Sequence, residues 1–567
     1  MITTSHPGRL HRWLAVACTL LLAAGVGVFV RPPAAAAAYV TINGAGSTWS
    51  QNAIDSWRRN VNQFGMTVNF AGTGSSDGRN QFRAGTVDWA ASDIPYGIKD
   101  GNNLDVPPTQ AHPFAYMPVT AGGTTFMYNL KIGNQRVTNL RLSGTNIAKI
   151  FTGGIRMWND AAIAADNPGL RLPAIRIVPV VRSEGSGSTA QFTQWMYATQ
   201  RSLWNSYCAA AGRNPCTQTS VYPIVPGRGM VAQAGDLGVS GYVAQPQALG
   251  AIGYVQYSYA IQANFPVAKM LNNGNYYTEP TAGHVAVSLL KAKINLNKND
   301  PNVYLTQDLS DVYTNTDPRT YPLSGYSYMI LPVSLNNPMT TAKGETIADF
   351  GKYALCQGQT QVNSLGYSAL PINLVQAGFD QLRKIPGAKV GNIAIRSCNN
   401  PTFSTDGTNT LARTDPRPPD CDKKGPLQCT TGTGGAKNQN TPNNNNNGGG
   451  GPGGGGPGGN NSTGGPSAGP SGSTPNPGSG PIAQQGACDP DTQDCGQGGG
   501  ANTGDLNVVG QPVPAEAGLG TGFRVALMVL AGALLLALAL GPPLIAQAGA
   551  RRRQRRSDDF TMPGGPA

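Results

Sequence analysis

Two periods run through the apolar positions of this chain. Met66, Val68 and Phe70 alternate with Thr67 and Asn69, and Val87, Trp89 and Ala91 repeat the two-residue period, which predicts half-buried strands. Between the start of the chain and the first of these, Ile54, Trp57, Val61 and Phe64 recur at helical spacing. Ile177 to Val181 is a near-continuous apolar run, the pattern of a strand buried on both faces, and Phe192, Trp195 and Met196 mark a helix after it. The aromatic positions read as core. Strand, Gly/Ser turn and helix in repetition predict an α/β fold, whose sheets bind ligands beyond their strand ends.

Two longer apolar runs lie near the ends. Trp13 to Val30 follows Arg9 and Arg12 and precedes Ala34–Ala38, so residues 1–38 read as a secretory signal cleaved before Tyr39. Cys18 lies inside that run and is a poor candidate for lipidation. Val525 to Ala546 is apolar apart from two glycines and Pro542-Pro543, long enough to span a bilayer, and five arginines follow between Arg551 and Arg556. The positive-inside tendency predicts a transmembrane helix over 523–546, a basic cytoplasmic tail over 547–567, and everything upstream outside, at the cell surface. No LPxTG-like pentapeptide precedes the helix, so a retained single-pass anchor is preferred to covalent wall attachment.

Residues 39–400 have globular texture. From 401 to 522 Gly, Asn, Pro, Ser and Thr take over, with Asn443–Asn447 and Gly448–Gly451 as the extreme. Such a composition buries too little apolar area to offset ordering entropy and predicts a disordered tether. The net charge of the 567 residues is +12; the signal and the segment 551–567 each carry +3, which leaves +6 spread along the rest. That is a mild attraction for anions without a nucleic-acid-binding motif, and no nucleic-acid partner is expected.

Eight cysteines remain after the signal, as local neighbours Cys208/Cys216, Cys356/Cys398, Cys421/Cys429 and Cys488/Cys495. An even count in an exported chain favours disulfides, although eight cysteines allow about 105 connectivities and proximity alone suggests these pairs. Four histidines and no CxxC argue against a metal, and no cofactor is expected.

The candidate chemistry sits in three turns: Gly44-Ala-Gly-Ser-Thr-Trp49, Gly72-Thr-Gly-Ser-Ser-Asp-Gly78 and Arg182-Ser-Glu-Gly-Ser-Gly-Ser188. Each is placed to open a helix, where free N–H groups and the dipole favour an anion. Ser75 and Ser186 taken alone read as helix caps, Asp93 before Ile94-Pro95 as a turn residue, Arg182 as an ion-pair partner, and Asp77 and Arg79 as surface residues.

The order of these turns, with DWAASD (88–93), IFTGGIRMWND (150–160), NPGLRLP (167–173) and GAIGYVQYSYA (250–260), resembles the phosphate-binding proteins of phosphate ABC importers over roughly residues 41–388. The resemblance implies a two-lobed α/β fold of the periplasmic-binding-protein type (type II) with an interlobe ligand cleft. Lobe one is expected at about 40–120 and 258–400, lobe two at about 121–257. It implies phosphate contacts from Thr48 (hydroxyl), Trp49 (backbone N–H), Ser75, Asp93 (accepting the ligand's proton), Arg182 (guanidinium fork), and Ser186, Gly187 and Ser188 at the third helix start. Glu184 stands where an aspartate steadies the arginine, Ser188 where a threonine is common, and Trp49 where a phenylalanine is common.

The implied function is high-affinity binding of inorganic phosphate and its delivery to the permease and ATPase of an ABC importer. No GxxxxGKS loop occurs, so energy must come from those partners. Alternatives are a tethered surface protein for another tetrahedral oxyanion, and a structural or adhesive role with a relic site. An exported phosphatase is disfavoured, because His112 and His284 are isolated and no metal-ligand pattern accompanies the serines; no enzyme activity is expected.

Overall fold

The computed structural model describes residues 39–442 except 101–102, 110–111, 214–215, 337, 392–393, 395–397 and 405. The expected signal, the tether from 443, the transmembrane helix 523–546, the basic tail 547–567 and the Cys488/Cys495 pair lie outside the described residues. Among the described residues no helix is long and apolar enough to cross a membrane.

The first periods become β1 (Ile42–Gly46), α1 (Gln51–Asn62), β2 (Val68–Ala71), α2 (Ser75–Arg83) and β3 (Trp89–Ser92). α1 buries Ala53, Ile54, Trp57 and Val61, while Phe64 lies past the helix end and is exposed. β1 pairs in parallel with both β2 and β3. Each of these strands feeds a turn at its carboxyl end, so the first two turns and Asp93 share one rim of the sheet.

The chain then runs through β4 (Phe114–Tyr128), fifteen residues, all buried. Next come β5 (Arg141–Leu142), β6 (Val178–Arg182), α3 (Gly187–Thr199), β7 (Val231–Gln233), α4 (Gly235–Ala244), β8 (Ala251–Gln256), β9 (Val267–Leu271), α5 (Ala282–Leu289) and β10 (Ser324–Pro332). The main sheet reads β7-β6-β8-β4-β10-β3-β1-β2. β4 joins its two halves. Residues Phe114–Gly123 pair antiparallel with β10, and Thr124–Tyr128 pair antiparallel with β8. The fold is the expected α/β arrangement of two lobes, with β4 continuous through both halves of the sheet.

Two expected boundaries differ. Val267–Leu271 falls in the stretch assigned to lobe one, yet β9 pairs with Phe126 and Met127 of β4 and with β5, on the lobe-two side. β8 already pairs with Phe126 and Met127, so β9 lies along the opposite edge of β4, beyond Gly123 where the pairing with β10 stops, and Val267, Ala268 and Met270 are buried there. The second difference concerns the tether. Residues 401–442, polar and proline-rich, are packed on the body. The buried Arg141 guanidinium donates to the carbonyls of Cys421 (3.1 Å) and Leu427 (2.7 Å), and Lys269 pairs with Asp422 at 2.6 Å. Asn139 Nδ2 donates to Cys429 O (2.7 Å), and Thr138 N–H donates to Thr441 Oγ1 (2.8 Å). Composition misjudges this strap because backbone hydrogen bonds to buried donors, rather than apolar area, hold it down. Its disulfide Cys421–Cys429 is formed, as are Cys208–Cys216 and Cys356–Cys398.

Candidate functional site

Asp93 follows β3 and is 1% exposed. Its Oδ1 accepts hydrogen bonds from Ser47 Oγ (2.7 Å) and Ser327 Oγ (2.8 Å), and its Oδ2 accepts one from Ser75 Oγ (3.1 Å). Ser327 reaches Asp93 from β10 at a register shift between Ser327 and Tyr328, the kind of bulge that re-aims a side chain. A carboxylate oxygen has two acceptor positions, so Oδ1 is filled and Oδ2 keeps one in reserve. The start of α3 packs beside it: a Cβ added to Gly187 would stand 2.5 Å from Oδ2 and 2.6 Å from Ser75 Oγ, so only glycine fits there. Burial pushes the Asp93 carboxyl up to about 6; the Ser47 and Ser327 hydroxyls oppose the rise, and the charge of Asp236 adds to it.

Arg182, the last residue of β6, is also buried. Its Nε donates to Glu184 Oε1 (2.7 Å), its Nη1 to Asp236 Oδ2 (2.6 Å) and its Nη2 to Thr48 Oγ1 (2.7 Å) and to Glu184. Burial works against the charge, but Asp236 and then Glu184 outweigh it and hold the guanidinium above its ordinary pKa. The Thr48 hydroxyl donates in turn to Asp236 Oδ2 (2.6 Å). A contact from lobe one to lobe two is thereby made through Thr48, Asp236 and Arg182.

The second and third turns touch directly. Gly74 caps α2 with φ +93°, a conformation that favours glycine, and a Cβ there would meet Gly185 O at 2.9 Å. Ser76 N–H donates to that same carbonyl (3.1 Å). Ser186 caps α3, its Oγ accepting from Thr189 N–H (3.3 Å). Ser188 is buried, and its Oγ has no hydrogen-bond partner among the described residues. An unmet hydroxyl at a helix start points to a missing partner.

Thr48, Ser75, Asp93, Arg182, Glu184, Ser186, Gly187 and Ser188 are thus assembled where the three turns meet. The extra methylene of Glu184 does not prevent its pairing with Arg182, and its Oε2 also accepts from Gly235 N–H (3.2 Å). The Trp49 side chain turns away into the core, donating from Nε1 to Thr124 Oγ1 (3.1 Å) and lying edge-on to Tyr367, which leaves its backbone for the turn. Arg79, read as a surface residue, is instead buried, with Nε on Asp105 (2.7 Å) and Nη1 on Ser92 Oγ (2.8 Å). α2 turns that face inward, and the guanidinium ties it to the segment after β3.

Three residues of the cluster escaped the sequence reading. Ser47 stood inside the first turn, beside the residue chosen. Asp236 follows Gly235 at the end of a short strand, the same strand–turn–helix grammar in a fourth place. Ser327 lies inside a strand, and nothing in a single sequence marks it.

A family model described as a PBP superfamily domain matches residues 31–357, more than half of the chain. The phosphate-binding protein PstS of Xylella fastidiosa strain Temecula1 is 31% identical over 338 residues, 59% of this chain and 83% of the relative. This chain belongs to the PstS family of the PBP superfamily. The PstS protein of Methanocaldococcus jannaschii is 27% identical over 61% of this chain and 86% of its own length. Among solved structures, the crystal structure of a DING protein is similar over 65% of this chain and 99% of that one, at 19% identity and a TM-score of 0.47. The match to PstS relatives covers 336 to 355 residues in the examples of Xylella, Haemophilus influenzae and Methanocaldococcus, so more than a third of this chain lies beyond it.

Proposed function

We propose that this chain binds inorganic phosphate outside the cytoplasm and delivers it to the permease and ATPase of an ABC importer. Membership of the PstS family supports the reading, as does one observation at the site: Asp93 holds a single open acceptor position beside donors contributed by three separate turns. Phosphate near neutral pH still carries a proton to give to Oδ2, whereas sulfate carries none. Thr48, Ser75, Ser186 and Ser188 supply hydroxyls in this reading, Trp49 and Gly187 supply backbone N–H groups, and Arg182 supplies charge, steadied by Glu184. The unpartnered Ser188 Oγ gains a hydrogen bond on binding.

Delivery needs the lobes to part, by hinge motion about the strands that cross between them. Val525–Ala546, with the arginines after it, would hold the protein to the membrane, leaving residues 39–442 outside. The test is calorimetric titration with phosphate and with sulfate of the wild type and of Asp93→Asn. Phosphate bound and sulfate rejected by the wild type, with rejection relaxed in the variant, is the expected result. Equal treatment of the two anions by the wild type would remove the reading.

A further inference from the structure

The cleft contains more negative charge than its expected ligand should tolerate. Asp236, at the start of α4, is fully buried, and its Oδ2 sits between the two groups assigned to the anion, 2.6 Å from Thr48 Oγ1 and 2.6 Å from Arg182 Nη1. A threonine hydroxyl has one proton, and here it is given to Asp236. Of the five N–H donors of Arg182, those on Nε and Nη2 are taken by Glu184 and Thr48 and one on Nη1 by Asp236. The position of Asp236 is fixed from behind by Gln256 N–H, which donates to its Oδ1 at 2.7 Å. Asp93, Glu184 and Asp236 thus set three carboxyl groups around one guanidinium.

Resting on the phosphate reading of this site, we propose that Asp236 is a specificity-determining residue that makes the site take phosphate as the singly charged, doubly protonated ion. A dianion gains little from an arginine already offset by two carboxylates, and it meets Asp236 oxygen to oxygen. The singly charged ion has two P–OH groups, one for the open position on Asp93 Oδ2 and one to take the place of the Thr48 hydroxyl on Asp236 Oδ2, which frees the Thr48 proton for the anion. No bond is broken; one proton per phosphate is drawn from solvent wherever the dianion predominates. The other groups packed around Asp236 do not supply that proton. Tyr254, Tyr259 and Tyr367 keep their protons, because burial raises all three hydroxyls, and Arg182 keeps its charge. Among the described residues Glu184 hydrogen-bonds to Arg182 and the Gly235 N–H. Asp93 is already ionised in the alkaline range.

The experiment is isothermal titration of the full-length chain with inorganic phosphate, from about pH 7.5 to about pH 9, in two buffers of different ionisation heat. The wild type is expected to take up about one proton per phosphate and to lose affinity by close to tenfold per pH unit. Asp236→Asn is expected to take up almost none and to show a flatter profile. Phosphate bound by the wild type without proton uptake, or the same uptake and slope in both proteins, overturns the role of Asp236 and leaves the phosphate reading standing. No phosphate binding at any pH overturns both. The wild-type proton count needs no variant, so a poorly folded Asp236→Asn protein does not shield the proposal.

Discussion

If Asp93 separates phosphate from sulfate by its one open acceptor position, then protonating Asp93 should weaken the separation in a calculable way. Sulfate has no proton to offer, so it can approach Oδ2 only when Asp93 supplies one. Burial, above all, holds the Asp93 carboxyl at about 6. Each pH unit above that value costs about 1.4 kcal/mol to protonate it. At about pH 7.5 the cost is about 2 kcal/mol, or about thirtyfold in affinity. Sulfate affinity should therefore rise close to tenfold per unit as pH falls from about 8 towards 6 and level off below that. Phosphate should move the other way below about pH 6, because protonated Asp93 no longer accepts a ligand proton. In Asp93→Asn an amide N–H replaces the open acceptor, and the sulfate profile should become flat. The assay is competition of sulfate against phosphate by calorimetry across this range. Sulfate affinity that stays constant with pH in the wild type would refute the reasoning, as would parallel profiles for the two anions below about pH 6.

The same burial has a cost for the empty protein. A carboxyl raised from its ordinary value of 3.8 to about 6 stabilises the fold below the lower value and loses that contribution as pH rises through 6. Asp93→Asn should accordingly stabilise the ligand-free chain by about 1–3 kcal/mol near neutral pH, read as a raised Tm without phosphate. Gly187→Ala places a methyl 2.5 Å from Asp93 Oδ2 and should reduce phosphate affinity at least about a hundredfold, with calorimetry as the readout. Arg141→Met removes buried donors from the carbonyls of Cys421 and Leu427, and should destabilise the strap by about 3–5 kcal/mol, detected as protease cleavage between 411 and 432. Reducing Cys421–Cys429 should expose the same segment by about 2–3 kcal/mol, with Cys356–Cys398 as the internal comparison.

The strand–turn–helix units around the three turns were legible because their periods are strong and their turns are short. Ile54, Trp57 and Val61 are buried on α1 as their spacing requires, and Val180, Val181 and Phe192 are buried around the third turn. The cluster itself was legible as separate motifs whose order matched a family. Long-range pairing was not legible. Nothing local tells β9 to join β4, or tells Ser327 to bulge toward Asp93, since both depend on strands brought together from distant parts of the chain. The strap was misread for a different reason. Its anchors, Arg141, Asn139 and Lys269, lie about 150 to 290 residues earlier, so its own composition carries no trace of them. Arg79 shows the same limit at short range, since a charged side chain near a turn says nothing about the carboxylate that will bury it.

The strap also decides where mechanical load enters the molecule. Its last fixed point is Thr441, bonded to Thr138, and its middle is clasped by Arg141 and Lys269, all on the β5 and β9 side. Any pull transmitted through the backbone after residue 442 is therefore taken up by one half of the sheet. The half built on β1, β2 and β3 bears none of it directly.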